Sequence, residues 1–213
     1  YSISDVDQEL LVAGVLTNVG IPDDPAPDLH CNGLVAESVW AELVAAVDAG
    51  LGLPLRVEGH DWSVTDSGGD GLTIYRIDDQ LLYRLWESKH HLAQVDVRQT
   101  VNKACRQVQD RHLSYLSRFS LIAQQLTATP ELARFYARLA ELWVDNDPAV
   151  GVGISIGTDV TGNVVGCFGN VHTYFQFDRD KLDGHLHVVG DFKALVDAVR
   201  DELWKGCGLW IGH

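Results

Sequence analysis

Two acidic residues and one lysine in the middle of the chain have the types and spacing of a metal-assisted hydrolysis site. Asp70 lies in a glycine-rich turn, and Glu87 and Lys89 end a later apolar segment as Glu-Ser-Lys. Side chains alternate along a strand, so Glu87 and Lys89 would point the same way, roughly 6.5–7 Å apart along the chain. A hairpin could place Asp70 beside Glu87. Two carboxylates beside an ammonium can hold a divalent metal and position a water molecule for phosphodiester hydrolysis.

The apolar periodicity predicts the elements that must position these residues. The residues Ala36, Trp40 and Val44 recur at helical spacing, and Gly50 is a typical helix end. Thr129 and Pro130 suit the N-cap and the first turn of a later helix. Helices are expected at 35–49, 96–118, 129–144 and 191–205, a strand and turn at 55–65, and strands at 72–77, 81–88, 150–157, 174–177 and 186–189. This order indicates an α/β domain with a mixed central sheet flanked by helices.

The length of 213 residues suits one domain with a sizeable core. Residues 1–33 contain a segment rich in Pro and Asp and are expected to form an N-terminal extension. Residues 34–213 are expected to form a single domain. Its core would span about 35–156, and its C-terminal strands and helix would occupy 150–205.

The composition bounds the partners of this protein. A formal net charge of −14 opposes binding to DNA without help, because phosphate contacts depend on Lys and Arg. A basic partner or a local basic groove would have to supply the affinity. The sequence has neither an apolar run of membrane-spanning length nor a visible signal peptide, and its four cysteines are far apart. We therefore expect a cytoplasmic protein with free thiols and no membrane contact.

The order of helix, strands bearing Asp70 and Glu87-Ser88-Lys89, helix and further strand resembles the PD-(D/E)xK nuclease superfamily over roughly residues 35–156. The resemblance implies a restriction-endonuclease-like core and an endonuclease that cleaves DNA with Mg²⁺ or Mn²⁺. It implies that Asp70 and Glu87 bind the metal and that Lys89 orients or activates the attacking water. Many members have another acidic residue on the preceding helix, for which Glu37 is the candidate. Gly69 replaces the proline that usually precedes the aspartate.

The same residues, followed by a long helix from Val95, are similar to the nuclease subunit family of the Hachiman anti-phage defence system. That similarity implies a helicase or another partner subunit. Such a partner would suit a strongly acidic chain that has little DNA affinity of its own.

The remaining polar candidates have plain structural interpretations beside the functional ones. Asn102, Arg106 and Gln109 lie on one flank of the helix after the Glu-x-Lys strand, where they could contact a DNA backbone or only face solvent. His185 and His187 share a strand face like a metal pair, but no third ligand lies near them in sequence. Candidates for other hydrolase chemistry are His60 with Asp61, and His90 with His91. The glycines at 151, 153 and 157 lack the features of a phosphate loop.

The main alternative is a non-catalytic domain that keeps the nuclease fold. On an exposed strand, Glu-x-Lys is usually a solvated ion pair, and aspartate in a glycine-rich turn is ordinary turn chemistry. Such a domain would use its acidic surface to dock on a basic partner.

Overall fold

A mixed five-stranded sheet lies at the centre of the described part of the chain. The computed structural model describes residues 29–47, 50–59, 70–92, 96–125, 129–159 and 164–211. The strands, in chain order, are β1 (Arg56–Glu58), β2 (Gly71–Ile77), β3 (Gln80–His91), β4 (Val150–Thr158) and β5 (Leu182–Val188). They lie side by side in that same order. The first three are antiparallel, whereas β4 is parallel to β3 and β5 is parallel to β4.

Helices cover both faces of the sheet. They are α1 (Leu29–Ala46), α2 (Val97–Ser120), α3 (Pro130–Ala137), α4 (Leu139–Val144) and α5 (Phe192–Ile211), with single 3₁₀ turns at Leu121–Gln125, Val171–Thr173 and Arg179–Lys181. Asp96 begins α2, because its carboxylate accepts a hydrogen bond from the Arg98 amide at 2.9 Å. Pro130 lies in the first turn of α3, where its missing N–H costs nothing.

The two faces of the sheet belong to different cores. Leu72, Leu85 and Ile154 belong to the large apolar core that includes residues of α2, α3 and α4. On the other face, α1 and α5 pack together through Cys31, Val35, Ala36, Phe192 and Val196. Every residue of β4 is buried, as expected for a strand covered on both faces.

A tight hairpin sets the register that matters for the candidate site. Asp78 and Asp79 both have positive φ angles, 47° and 64°, as a two-residue type I′ turn requires. The turn pairs Ile77 with Gln80, and the ladder then runs without interruption to the pairing of Gly71 with Trp86. Residue 70 therefore lies next to residue 87.

The predicted α/β class with a mixed sheet and flanking helices is confirmed. The first helix begins at Leu29, within the segment expected as an extension, and Cys31 is completely buried. The predicted helix 129–144 is interrupted at Arg138, where the backbone leaves the helical region. In the segment predicted as a strand and turn at 55–65, the strand is Arg56–Glu58, and residues 60–69 lie outside the described residues.

The strand predicted at 174–177 is wrong. These residues follow a 3₁₀ turn and pair with no strand. Phe175 and Phe177 do alternate with polar residues, but both rings pack into the large core beside α2, where the Tyr174 carbonyl accepts a hydrogen bond from Gln109. Core packing of a loop produced the same apolar alternation as a strand.

Candidate functional site

The residues that the sequence analysis singled out at Asp70, Glu87 and Lys89 form one cluster. The Lys89 ammonium contacts Glu87 Oε1 and lies 3.7 Å from Asp70 Oδ2. Glu87 and Lys89 follow Leu85 on the same face of β3, by the alternation of a strand. Asp70 reaches them because the hairpin register places the start of β2 beside this part of β3.

Asp70 is fixed by the backbone of the neighbouring strand. Its Oδ2 accepts a hydrogen bond from the Ser88 amide at 2.6 Å, and the residue is only 4% exposed. The bond to a backbone donor holds the carboxylate toward Glu87 and Lys89. Asp70 therefore has a defined orientation before any ligand arrives.

Glu37 joins the cluster from the opposite layer of the fold. Trp40 lies one turn further along α1, and its indole packs against Gly71 so closely that no Cβ would fit there. This contact brings α1 to the start of β2, and Glu37 shares a hydrogen bond with Asp70. Burial, followed by the charge of Asp70, raises the pKa of Glu37 to about 9.

The cluster contains three carboxylates and one ammonium. Glu87 is completely buried, so burial and then the charge of Asp70 raise its pKa well above the usual range, against the effect of Lys89. Burial lowers the pKa of Lys89, but the charges of Asp70 and Glu87 overcome this and raise it above its ordinary value. Lys89 is therefore the resident cation of a site in which burial and mutual repulsion favour the protonated forms of Glu37 and Glu87.

The donor set suits a divalent cation, although the present arrangement does not enclose one. Among the described residues, no group of three or more His, Cys, Asp or Glu side chains is arranged to hold a metal ion. The Lys89 ammonium instead takes the contact with Glu87. Carboxylate oxygens are the ligands that Mg²⁺ prefers. When the carboxylates are ionised, the buried Glu87 Oε2 accepts no hydrogen bond from a described residue. By its chemistry, the carboxylate set therefore fits the metal that the resemblance implies.

Tyr115 is a neighbour of the cluster that the sequence did not identify. The sequence places it on the apolar face of a helix, and it is indeed buried. Burial, then the charge of Glu87, raises the pKa of Tyr115 to about 12. Its hydroxyl accepts a hydrogen bond from Gln107 at 3.2 Å. Helical side chains lean toward the N-terminus of the helix. The polar Gln107, two turns before Tyr115, was therefore the one signal in the sequence that the hydroxyl has a hydrogen-bond partner.

The three candidate DNA contacts differ in their exposure and in their partners. Asn102 is half-buried and Arg106 is exposed on the outer side of α2. Gln109 donates a hydrogen bond to the Tyr174 carbonyl at 3.1 Å, so it holds a neighbouring loop.

The histidine candidates lie in separate places. His90 stacks on Phe192, and His91 is hydrogen-bonded to Thr100 on the other face of the sheet. His185 and His187 have ring centroids 5.9 Å apart, and His187 Nε2 lies 2.9 Å from Ser155 Oγ. No third metal ligand joins that pair among the described residues. His60 and Asp61 lie outside the described residues.

The glycines of β4 have a packing role. At Gly153 an added Cβ would lie 2.2 Å from the Trp86 ring, and at Gly151 it would lie 2.5 Å from the Arg84 side chain. At Gly157 an added Cβ would be 3.1 Å from Phe192. These residues make room for the large side chains of neighbouring elements.

None of the known protein-family models matches this chain, and no curated protein matches it in sequence. In the described part of the chain, no helix is long and apolar enough to cross a membrane. The fold and the site therefore define a class only: an α/β domain with a buried carboxylate–lysine cluster.

Proposed function

We propose that this protein is a metal-dependent endonuclease of the PD-(D/E)xK type that hydrolyses DNA phosphodiester bonds. The observation that carries the proposal is the meeting of Glu37, Asp70, Glu87 and Lys89 around one point. The element order supports a restriction-endonuclease-like core, because a helix, an antiparallel three-strand unit, three helices and a parallel strand follow one another.

Asp70, Glu87 and Glu37 would hold Mg²⁺ or Mn²⁺, which supplies Lewis acidity and a water of lowered pKa when bound. Ser88 orients Asp70 through its backbone amide. Lys89 keeps its proton at Nζ, and its side chain is 23% exposed, so it can face a phosphate at the mouth of the site. An ammonium there would stabilise the charge that develops on the phosphate oxygens.

The partner is also a proposal. A chain with a net charge of −14 would gain DNA affinity from a basic subunit such as a helicase, as in the anti-phage defence system that its sequence resembles.

The test is cleavage of plasmid DNA and of a single-stranded RNA with Mg²⁺, with Mn²⁺ or with EDTA. We expect cleavage that requires the metal, and a loss of at least about 100-fold in Glu87→Gln and in Lys89→Met. Glu141→Gln and Lys205→Met, at exposed ion pairs elsewhere, are the matched controls and should keep full activity. Cleavage that survives EDTA, or that survives both site substitutions, would contradict the proposal.

One observation favours a second function, a non-catalytic nuclease-fold domain that docks on a basic partner. Lys89 neutralises part of the cluster, and the described residues form no ready metal cage. Calorimetric titration with Mn²⁺ separates the two functions. A nuclease should bind Mn²⁺ in the wild type and lose it in Glu87→Gln, whereas a docking domain should bind the metal in neither.

A further inference from the structure

Helix α2 has a charge opposite to that of the rest of the chain. It contains five of the chain's 16 Lys and Arg residues but one of its 30 Asp and Glu residues. The whole chain nevertheless has a net charge of −14. A local excess of positive charge on so acidic a molecule is a feature that its average composition does not explain.

Three of these cations lie on the solvent side of the helix: Arg98, Lys103 and Arg106, which we call the α2 basic face. All three are exposed. At 100° per residue they lie within an arc of about 140°, and the buried residues of α2, such as Val101 and Val108, lie on the opposite side. One side of the helix therefore packs on the core, and the other exposes the three cations to solvent.

The α2 basic face lacks the internal ion pairs that other surface cations make. Within the described part of the chain, none of its three side chains forms a salt bridge. By contrast, Arg76 pairs with Glu131, Arg138 with Glu141, and Lys205 with Glu202. Arg98, Lys103 and Arg106 therefore keep their charge available to an external anion.

The start of α2, where Arg98 lies, is held at the end of the strand that carries the candidate site. Helix α2 follows β3, the strand that carries Glu87 and Lys89. The hydrogen bond between His91 and Thr100 ties the first turns of α2 to the end of that strand. A polyanion bound along α2 would therefore reach the end of the strand that carries Glu87 and Lys89.

We propose that the α2 basic face binds the phosphate backbone of the nucleic acid that the site cleaves. The inference rests on the proposed nuclease function for the identity of the polyanion. From Arg98 to Arg106 the helix rises about 12 Å at 1.5 Å per residue. One strand of a DNA duplex presents a phosphate every 3.4 Å or so of helix axis, so this length faces about three or four phosphates. The acidic remainder of the surface repels the same backbone and restricts binding to this face.

The test compares two triple substitutions that change the net charge equally. One replaces Arg98, Lys103 and Arg106 with Gln. The control replaces Lys193, Arg200 and Lys205 of α5, on the other face of the sheet, with Gln. Binding of fluorescein-labelled 20-nucleotide duplex and single-stranded DNA is measured by anisotropy in EDTA between 50 and 300 mM NaCl. A Lys103→Gln/Arg106→Gln pair provides a milder variant, and urea unfolding shows that each protein is folded.

We expect the α2 triple variant to lose affinity on the order of 100-fold at low salt. The slope of log affinity against log salt should fall by about 2–3, with an intermediate fall for the pair and little change for the α5 control. An unchanged slope, equal losses in both triple variants, or no binding by the wild type would overturn the inference. So would an α2 variant that alters self-association and leaves DNA binding intact.

Failure of this inference is distinguishable from failure of the proposed function. If the wild type binds DNA through α2 but never cleaves it with Mg²⁺ or Mn²⁺, the basic face stands and the nuclease does not. If the wild type cleaves DNA and the α2 variant binds and cleaves equally well, the nuclease stands and the basic face does not.

Discussion

Lys89 determines how three carboxylates can be buried together. Removing a carboxylate from water is costly unless a cation and hydrogen bonds replace the lost hydration. Glu87 has no exposed surface and depends on Lys89, whereas Asp70 also has the Ser88 amide. The lysine therefore stabilises the protein without metal, whatever its part in catalysis.

Replacing Lys89 with Met tests this dependence. The methionine keeps the apolar stem but leaves the buried Asp70 and Glu87 without the cation that contacts both, so the free energy of unfolding at pH 8 should fall by about 3 kcal/mol. Urea denaturation followed by tryptophan fluorescence measures the change. The control Lys205→Met removes an exposed ion pair and should leave stability nearly unchanged. Equal effects from the two substitutions would show that the cluster does not need its ammonium.

Parts of the site could be predicted from residue types alone. The Glu-Ser-Lys spacing on a strand fixes the shared face of Glu87 and Lys89, and the short hairpin fixes the approach of Asp70. The approach of Glu37 depends on how a helix packs on a strand, for which the sequence offers only its position at the edge of an apolar face. The place of Tyr115 depends on the direction of a long side chain and could not be predicted from helical periodicity.

At the scale of elements, one contact between α1 and β2 sets the position of Glu37. Trp40 lies over Gly71, and its ring also packs against Trp86 with centroids 5.6 Å apart. Trp86 in turn donates a hydrogen bond to Thr73 at 2.9 Å. A helix, two strands and two indoles thus form one rigid unit at the edge of the candidate site.

Replacing Gly71 with Ala should break this unit. The new Cβ would lie 1.9 Å from Trp40 Cη2, so the indole and α1 must move. Overpacking of this kind costs about 1–3 kcal/mol, which a lower urea midpoint would reveal. Gly33→Ala is the control, because Gly33 lies in α1 with no atom near its Cβ position. That substitution should stabilise the protein by up to about 1 kcal/mol, since alanine favours a helix. If both variants resembled the wild type, the contact would not position α1.

The helices and strands could be predicted where the apolar residues recur with one clear helical or strand spacing. The long α2 and the strands around Asp70 and Glu87 have clear periods and strong end signals, such as Asp96. The break at Arg138 has no glycine or proline to announce it, so the local sequence does not predict it. The loop at 174–177 has the alternation of a strand because Phe175 and Phe177 pack on the core and the residues between them are polar. Local pattern predicts an element well only when tertiary packing agrees with it.

At the scale of the whole molecule, two effects of acid oppose each other. The net charge of −14 predicts that mild acid stabilises the protein, because protonation relieves the repulsion among carboxylates. The histidines of β5 predict the reverse. Burial, followed by the charge of His185, lowers the pKa of His187 to about 4, and burial lowers the pKa of His185 although Asp183 opposes the shift.

The sign for His187 follows from proton counting. Its pKa in the unfolded chain is near 6.5, so between pH 6.5 and pH 4 the unfolded state binds a proton that the folded state refuses. The free energy of unfolding therefore falls as the pH decreases through this window. The neutral His187 ring lies beside Ser155 Oγ and the His185 ring. Protonation would place a positive charge on β5, the edge strand of the sheet, next to these groups. His187 thus couples the pH to the attachment of β5.

His187→Gln decides which effect dominates. Glutamine can still bond to Ser155 but cannot titrate, so the variant should lose about 1–2 kcal/mol less stability than the wild type between pH 7 and pH 5. Urea unfolding at the two pH values gives this difference directly. The exposed His172, replaced with Gln, is the control and should follow the wild type. If His187→Gln loses as much stability as the wild type, the histidines of β5 do not govern acid lability. If both proteins gain stability at pH 5, relief of the negative charge outweighs the cost of protonating them.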